Sequence, residues 1–379
     1  MQNKIKVMKT LIWPWPIRLF HWSLVLMTAG AWIFSEFEEA LPLHVALGYG
    51  VGALLIFRWI WGIVGPRYSR FWDWPLSIDA LKKFVKDFRN PLPYPGHNPA
   101  ASWVMLGILL IGSLVVLSGV VVYGVQEGRG PLSSLNEIFS PEMEFFEDAH
   151  EVFVTLWGVL IAAHLSGVAV DRILHPGPRT LRSMVDGYKL LDVPSASLTK
   201  IQSGIALLLL SFSILTPIAS LRESSILTES RYAERDYEAE HELFVSECAS
   251  CHILYPPHLL PKASWKRMMS TLSDHFGDDA SLDEKERKEI ESYLLANAAN
   301  TSPKEAAVYL RRSIEANASN VIIAPSQTKY WKKRHAKIDP KLFEREEVRS
   351  RSNCKACHGD IEKGMIEDRN IRLPERTRE

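Results

Sequence analysis

The sequence lacks a net charge and has little cysteine. Its 379 residues carry 44 basic and 44 acidic side chains, so the total charge says nothing about partners, and we expect no nucleic-acid partner. All four cysteines fall in two copies of one short motif, so none is left for a disulfide framework. The length is sufficient for more than one domain.

Charge is also absent from five long apolar stretches. These stretches are residues 19–35, 40–57, 101–125, 152–170 and 201–221. Their lengths fit membrane-spanning helices better than core helices. No cleavage site of small residues follows the first stretch, which predicts an uncleaved anchor rather than a signal peptide. The C-terminal part is polar and rich in charge, so the sequence predicts a membrane part joined to a soluble part.

Basic and acidic residues are unevenly distributed among the loops. The N-terminus and the loops after the second and fourth stretches are basic, whereas the loops after the first and third are acidic. The basic residues include Lys4, Lys6, Lys9 and Arg18, then Arg67, Arg70, Lys82, Lys83, Lys86 and Arg89, then Arg172, Arg179, Arg182, Lys189 and Lys200. Positive loops stay on the cytoplasmic side. Five spans of a bacterial inner membrane then place the N-terminus in the cytoplasm and the C-terminal domain in the periplasm.

The cysteine motifs are CASCH and CKACH. Their residues are Cys248, Cys251 and His252 in the first copy and Cys354, Cys357 and His358 in the second. C-x-x-C-H is the attachment signature of covalent c-type haem, in which the thiols bond the vinyl groups and the histidine is held against the iron. A zinc knuckle or a disulfide is the alternative. Two copies, both on the predicted periplasmic side where c-type haems are assembled, favour two haems.

Several side chains are available as a sixth ligand to these irons. The candidates are His241, His258, His275, His335 and several methionines, including Met365. Each histidine could instead be a surface side chain, which is the expectation for His241 and His258. Pro256 and Pro257 stiffen the chain between His252 and His258, which disfavours His258 as a distal ligand.

Four histidines lie within or beside the apolar stretches. Fourteen residues separate His150 from His164, which places both on one helical face about 21 Å apart along the axis. With the predicted orientation, His44 and His150 share one depth and His21 and His164 share the other. A lone membrane histidine could serve as a hydrogen-bond donor, and a proton relay is also possible. Two bis-histidine b-type haems in a helix bundle explain the pairing by depth, whereas a zinc site would need more ligands.

Residues 10–190 resemble the bacterial cytochrome b family that includes the nickel-hydrogenase membrane subunit. The matching segments are IRLFHW, LHVALGYGVGALLIFRWIWGIVGPRYSRFWDW, GHNP, AHEVF, AAH and SMVDGYK. The resemblance implies a four-helix bundle with two b haems that exchanges electrons with a partner subunit or quinone. Arg18 and Arg58, near one haem level, are candidate partners for haem propionates.

Residues 242–379 resemble the dihaem cytochrome c family. The matching segments are CASCHILYPPHLLPKASWKRMM, DHFGDDASLD, IESYLLANAAN, WKKRH and CKACHGDIEKG. This second resemblance favours His275 and His335 as the distal ligands. His275 also follows a predicted helix and precedes a short polar loop.

The sequence therefore predicts an all-α protein. Its expected parts are a membrane cytochrome b domain of four helices at 1–196, a fifth membrane helix and linker at 197–240, and a mainly helical periplasmic dihaem cytochrome c domain at 241–379. The expected function is electron transfer between quinol in the membrane and a periplasmic soluble cytochrome or other redox protein. Whether the chain acts as an enzyme, with an activity like that of a quinol:cytochrome c oxidoreductase, is left open. The alternatives are a haem-containing subunit of a larger respiratory complex and an enzyme with an open c haem that reduces a small ligand.

Overall fold

The architecture is given by a computed structural model that describes residues 9–89, 94–174, 180–222, 225–317 and 321–374. Lys4, Lys6 and Arg179, which contributed to the predicted orientation, lie outside these ranges. The described chain contains thirteen α-helices: α1 Trp15–Phe34, α2 Leu41–Val64, α3 Ile78–Lys86, α4 Pro99–Val125, α5 Leu135–Phe139, α6 Met143–Leu174, α7 Thr180–Asp186, α8 Lys200–Ser220, α9 Tyr237–Cys248, α10 Lys262–Met269, α11 Glu284–Ala296, α12 Glu305–Glu315 and α13 Lys329–Arg334. The expected all-α class is confirmed.

The chain divides into two compact units. The first unit comprises Met1–Glu36, Pro42–Val120 and Phe146–Ser225, and the second comprises Phe37–Leu41, Val121–Phe145 and Ile226–Glu379. The second unit therefore contains the C-terminal part together with two short segments from between the long apolar helices, 37–41 and 121–145.

Five helices are long and apolar enough to cross a membrane, as the sequence predicts. They are α1, α2, α4, α6 and α8. Most side chains of α6 in its apolar stretch face outward, as in a helix surrounded by lipid. Two of these helices begin at residues that satisfy or remove the free backbone N–H groups of the first turn. Proline stands in the first turn of α1, and Thr199 and Gln202 form a reciprocal capping box at the start of α8.

The first unit has two apolar cores. One joins α2 to α4 and α6 and includes Val51, Ile108 and Trp157, whose indole N–H donates to the carbonyl of Ile108 at 2.9 Å. The other joins α1 and α2 to the fifth helix, α8, through Phe20, Phe57, Trp61, Ala206 and Leu210. The fifth helix is thus a packed member of the membrane unit.

One small strand pair was not expected from the sequence. Strand β1, Lys9–Leu11, pairs antiparallel with β2, Tyr188–Leu190. The pairing brings together segments that lie about 180 residues apart, before α1 and after α7. No local pattern of three residues predicts such a long-range contact.

The second unit has its own core. Tyr237, Phe244, Trp265, Ile290 and Leu294 pack between α9, α10 and α11. A smaller cluster places Leu310 of α12 against Leu259 and Ile361, beside Cys354. The remaining chain is made of short 3₁₀ turns and loops, which is the usual setting for side chains that hold a ligand.

Candidate functional site

The first cysteine motif lies at the end of α9. Cys248 is the last residue of that helix, and Cys251 and His252 follow in an exposed turn. The ring of His275 lies opposite the ring of His252, with 6.1 Å between the ring centres and 30° between the planes. We call these four residues the first c-type site.

His275 is held by a tight turn that follows a 3₁₀ segment, Leu272–Asp274. Its backbone N–H donates to the carbonyl of Asp278 at 2.7 Å. Gly277 has a φ of 100°, a left-handed conformation that a residue with a Cβ would strain to adopt. The turn fixes the direction in which the imidazole leaves the chain.

The second cysteine motif lies in a 3₁₀ turn, Cys354–Ala356, near the end of the described chain. His335 follows α13 directly and faces His358, with 6.3 Å between the ring centres. The indole of Trp331 stacks on the His335 ring at 4.2 Å and 13°. Cys354, Cys357, His358 and His335 form the second c-type site.

The spacing of these ring pairs fits two imidazoles on one metal ion. An imidazole nitrogen lies about 2 Å from a bound metal. Because the ring centre lies about 1 Å beyond that nitrogen, two opposed rings on one ion have centres about 6 Å apart. The His252–His275 and His335–His358 separations of 6.1 and 6.3 Å both match this span.

At each c-type site a hydrogen bond at Nδ1 orients one of the two imidazoles. The Nδ1–H of His252 donates to the carbonyl of Ile253 at 2.6 Å, and the Nδ1–H of His335 donates to the carbonyl of Trp331 at 2.9 Å. A donor bond at Nδ1 fixes the tautomer and leaves Nε2 as the nitrogen with a lone pair for a metal.

Burial favours the neutral form of several groups at the two sites. It lowers the pKa of His275, and the neighbouring His252 adds to that effect. It also lowers the pKa of His358. Burial raises the pKa of the Cys248 and Cys354 thiols to about 11. Neutral imidazole is the form that binds iron, so the electrostatics of the sites suit a haem ligand.

In the first unit the four membrane histidines form two neighbouring pairs, His21 with His164 and His44 with His150. The His44 Nδ1–H donates to the carbonyl of Ala31 at 2.8 Å. That bond leaves Nε2 of His44 available.

His150 is oriented by the neighbouring helix. Its Nδ1–H donates to the Ser118 hydroxyl oxygen at 2.9 Å, and that hydroxyl donates to the carbonyl of Val115 at 3.0 Å. Gly119 lies directly under the ring, since a Cβ at this position would stand 3.1 Å from its Cε1 carbon. Helix α4 therefore supplies both the hydrogen bond and the space for His150.

Several buried polar atoms near His21 and His164 have no hydrogen-bond partner among the described residues. They are the His21 Nδ1, the Arg18 Nε, the Arg58 Nη1 and the His97 Nδ1. Arg58 is 2 % exposed and lies over the rings of Phe71 and Trp74. Arg18 also donates from Nη1 to the carbonyl of Val185 at 2.6 Å. The free donor atoms of the two arginines, Nε of Arg18 and Nη1 of Arg58, suit the carboxylates of a haem edge.

The environment of His97 was not predicted from the sequence. A position in the GHNP segment, two residues before α4, is typical of an interfacial side chain. The ring packs between Trp13 and Trp74, at 5.0 and 5.2 Å. Burial, followed by the charges of Arg58 and Lys189, lowers the pKa of His97 to about 3. The charge of His164 also acts on it, which links His97 to the His21–His164 pair.

The surface position expected for His258 is wrong. Its side chain is 4 % exposed, and its Nε2 is buried without a partner. The residue lies in a 3₁₀ turn, Pro257–Leu259, whose flanking Leu259 and Leu260 belong to the core. The prolines and leucines on both sides of His258 in PPHLLP are apolar, and this context indicates burial. His241 is half-buried against the ring of Tyr293 at 4.6 Å.

A network of charges next to the second c-type site was also missed. The Arg334 guanidinium pairs with Asp368 at 2.9 Å, Glu38 at 3.4 Å and Glu305 at 3.9 Å. Carboxylate oxygens of Glu127, Glu305 and Asp368 lie within 4.8 Å of one another. Burial and then these neighbouring acids raise the pKa of Glu127 well above its usual value. Arg334 supplies the counter-charge to the cluster.

Comparisons with known proteins match both halves of the chain. Residues 12–187 match the family model of prokaryotic cytochrome b561, and residues 244–366 match that of dihaem cytochrome c. A probable Ni/Fe-hydrogenase 1 B-type cytochrome subunit of Escherichia coli K12 is 23 % identical over 228 residues, which are 50 % of this chain and 94 % of that protein.

Two solved structures resemble the C-terminal part. A dihaem cytochrome c from Rhodobacter sphaeroides is 40 % identical, with 35 % of this chain and 99 % of that chain covered and a TM-score of 0.30. A dihaem cytochrome from Shewanella baltica OS155 is 28 % identical, with 35 % and 91 % covered and a TM-score of 0.28.

The two family matches follow the two regions that the sequence motifs predicted, and the five apolar helices accompany the first of them. The polypeptide therefore belongs to the prokaryotic cytochrome b561 family over residues 12–187 and to the dihaem cytochrome c family over residues 244–366, and it is a membrane electron-transfer haem protein.

Proposed function

We propose that this chain carries four haems, two of b type and two of c type, and passes electrons between membrane quinol and a periplasmic redox protein. The observation that carries the proposal is the opposed imidazoles of both c-type sites at metal-spanning distance. Haem iron supplies reversible one-electron chemistry, and the protein tunes it through ligand identity, burial and hydrogen bonds.

Each c-type site would hold its haem through two thioethers and two imidazoles. Cys248 and Cys251 would attach the first haem, and His252 and His275 would bind its iron. Cys354 and Cys357 would attach the second haem, and His358 and His335 would bind its iron. Because both proximal histidines already face an imidazole, an enzyme with an open c haem finds less support than an electron carrier.

The membrane histidines would hold the b haems in pairs. His21 with His164 and His44 with His150 would bind the two irons. The shared depth predicted for each pair and the hydrogen bonds at Nδ1 of His44 and His150 support this assignment. Arg18 and Arg58 would bind the propionates of the haem between His21 and His164.

The proposed organisation comprises a membrane cytochrome b domain at 1–196, a helix and linker at 197–240 and a dihaem domain at 241–379. The basic and acidic loops support a cytoplasmic N-terminus and a periplasmic dihaem domain in a bacterial inner membrane. The Escherichia coli relative is named as a hydrogenase subunit. A role as the haem subunit of a larger respiratory complex is therefore the second candidate.

The test is quinol oxidation by the purified chain in liposomes. Reduced quinol is mixed with the oxidised protein, and the b and c absorption bands are followed separately by stopped flow. We expect b-band reduction first and c-band reduction after it, with electrons then leaving to an added soluble cytochrome. Reduction of the b band without any c-band reduction contradicts the proposal. Co-purification of an additional subunit supports the second candidate.

A further inference from the structure

We propose that the carboxylates of Glu127, Glu305 and Asp368 bind a hard divalent cation, of the calcium and manganese class. All three acids belong to the second unit of the fold, in segments that are distant in the sequence. The site uses neither the cysteine motifs nor the membrane histidines, and it does not depend on the proposed electron-transfer function.

The separation of the carboxylate oxygens suits one bound ion. Calcium binds oxygen at about 2.3–2.6 Å, so two oxygens on opposite sides of one ion lie about 5 Å apart. The oxygens of Glu127, Glu305 and Asp368 lie within 4.8 Å of one another, so all three can contact the same ion. Carboxylate oxygens are the ligands that calcium, magnesium and manganese prefer, whereas softer metals favour thiolates.

Backbone hydrogen bonds fix the segment that carries Glu127, which follows the end of α4 by two residues. The carbonyl of the next residue, Gly128, accepts from the Arg231 N–H at 3.0 Å. The Gly130 N–H donates to the carbonyl of Glu229 at 2.9 Å. Glu127 is therefore held beside the stretch of chain that precedes α9.

The other two acids also lie in defined local structure. Glu305 is the first residue of α12. Asp368 begins the 3₁₀ turn Asp368–Asn370, in which the Asn370 amide donates to the Asp360 Oδ2 oxygen at 2.8 Å. The Glu305 and Asp368 side chains are only 13 % and 15 % exposed. Carboxylates so far from water need cations, because buried charges in proteins are paired or coordinate metals.

The charges around the cluster do not balance. Among the described residues of this network, five carboxylates face three cationic side chains: the acids are Glu38, Glu127, Glu305, Glu367 and Asp368, and the bases are Arg129, Lys304 and Arg334. The next charges outward act with opposite signs, Glu39 and Lys337 on Glu38, and Asp360 and Arg235 on Lys304. The excess of two negative charges is what one divalent cation neutralises.

Arg334 leaves room for this ion. Its guanidinium binds the Asp368 Oδ2 oxygen at 2.9 Å and approaches Glu305 at 3.9 Å. Because a carboxylate has two oxygens, Asp368 can bind Arg334 through Oδ2 and a cation through Oδ1. A single guanidinium charge among three carboxylates leaves the cluster acidic.

An independent observation beside the acids points to a bound group. A cavity of about 30 Å³ is lined by Glu127, Glu305 and His258. His258 is 4 % exposed, and its Nε2 is buried without a hydrogen-bond partner among the described residues. Such an atom costs free energy unless a bound group satisfies it. The cavity has room for one or two water-sized groups, which suits an ion with a water molecule and excludes an organic ligand.

The imidazole of His258 suits a water molecule on the ion. The close group of ligand atoms in the described chain belongs to the three acids, so His258 stands one step further out. Burial, followed by the charges of Lys304 and Arg235, lowers the pKa of His258 well below its usual value. A neutral ring can accept a hydrogen bond at Nε2, and a water bound to a cation is a strong donor. Groups that orient metal ligands in this way raise metal affinity.

The first experiment counts the bound metal. The full-length chain in a neutral detergent is stripped with EDTA and desalted, and Mn²⁺ is added while the EPR signal of free Mn²⁺ is measured at room temperature. We expect about one tightly bound Mn²⁺ per chain, which excess Ca²⁺ releases. Glu127→Gln should weaken this binding at least about tenfold, because it removes one charged ligand. Glu284→Gln, at an exposed acid of α11, is the matched control and should leave it unchanged. Retention of no Mn²⁺, or equal binding by Glu127→Gln, overturns the site.

The second experiment separates a metal ligand from a purely structural carboxylate. Urea unfolding of the full chain is followed by far-UV circular dichroism, in EDTA and in saturating Ca²⁺. In EDTA, Glu127→Gln should unfold at the same or a higher urea concentration than the unmodified chain, because the change removes a carboxylate from a crowded cluster. In Ca²⁺ the order should reverse, because an ion that binds only the folded chain stabilises it. A variant that is less stable in both conditions has lost a structural group and contradicts the proposal. A midpoint of the unmodified chain that Ca²⁺ does not change also contradicts it.

A third measurement tests the part played by His258. His258→Leu removes Nε2 and should weaken Mn²⁺ binding about tenfold, as loss of a group that orients a metal ligand does. Unchanged affinity in this variant overturns the hydrogen bond from His258 to a bound water. Quinol oxidation enters none of these measurements, so the cation site and the proposed electron-transfer function fail independently.

Discussion

Replacing Arg334 by glutamine tests the charge network beside the second c-type site. The change keeps a side chain of similar reach but removes the cation that Glu38, Glu305 and Asp368 share. The carboxylates of Glu127, Glu305 and Asp368 then remain within 4.8 Å of one another after the Arg334 cation is removed. We expect the C-terminal domain to lose stability for this reason.

The magnitude follows from the separations. Two carboxylates about 5 Å apart repel by roughly 3 kcal/mol at an effective dielectric of about 20. Breaking a fully buried ion pair costs about 3–5 kcal/mol. Because the Arg334 side chain keeps 26 % of its exposure, solvent screens part of this, and about 2–3 kcal/mol is expected at neutral pH.

The loss must depend on pH with a definite sign. Burial and the neighbouring acids already raise the pKa of Glu127 in the folded chain, and removal of Arg334 raises it further. Below its unfolded pKa of about 4.3, Glu127 is protonated in both the folded and the unfolded chain, so its contribution to the penalty is absent. The loss of stability grows as the pH rises from the folded pKa of Glu127 in the unmodified chain to its higher folded pKa in the variant.

The assay is urea unfolding of the full chain in detergent, followed by circular dichroism of the c haems at two pH values, about 5 and about 8. The Arg334→Gln variant should differ from the unmodified chain more at the higher pH. Arg287→Gln, which removes pairs with Glu284 and Glu291 within α11, should have the smaller effect, and that effect should be similar at both pH values. An equal loss at both pH values would refute the electrostatic reasoning.

Three further outcomes are expected. His44→Ala and His150→Ala should abolish the same b-haem signal in redox-difference spectra, and loss of different signals would separate the pair. Either His275→Ala or His335→Ala should convert one c haem to a high-spin form that binds carbon monoxide, whereas His258→Ala should leave both low-spin; unchanged spectra in the first two variants would remove them as ligands. Protease added to spheroplasts should release a soluble fragment that stains for covalent haem, and protection there with cleavage in inverted vesicles would reverse the orientation.

The features that could be predicted from the sequence are those marked by short, contiguous or repeated patterns of residues. The two C-x-x-C-H motifs are contiguous, so they identify the cysteines and proximal histidines without any knowledge of the fold. The membrane helices are visible because their uncharged lengths match a bilayer. Their boundaries moved by a few residues at most ends, and α6 begins nine residues before the apolar stretch because its first two turns are polar.

Contacts between distant parts of the chain could not be predicted in this way. Arg334 and Glu38 are separated by nearly 300 residues, and nothing near either residue indicates the other. The burial of His258 depends on the core that forms around it. The packing of α8 depends on which face meets α1 and α2, and an all-apolar segment carries little information about that face.

The packing of the fifth helix decides where this polypeptide can be divided. Ala206 and Leu210 are fully buried against α1 and α2, and a Cβ on Gly50 would stand 2.7 Å from the ring of Pro217. Lipid is as apolar as these side chains, so what α8 contributes is close-fitting contact rather than shelter from water. A gene cut before Lys200 would therefore leave the membrane half with an unfilled groove. A cut after Ser220 would keep α8 in that groove but would still separate residues 121–145 from residues 226–379, with which they form one compact unit.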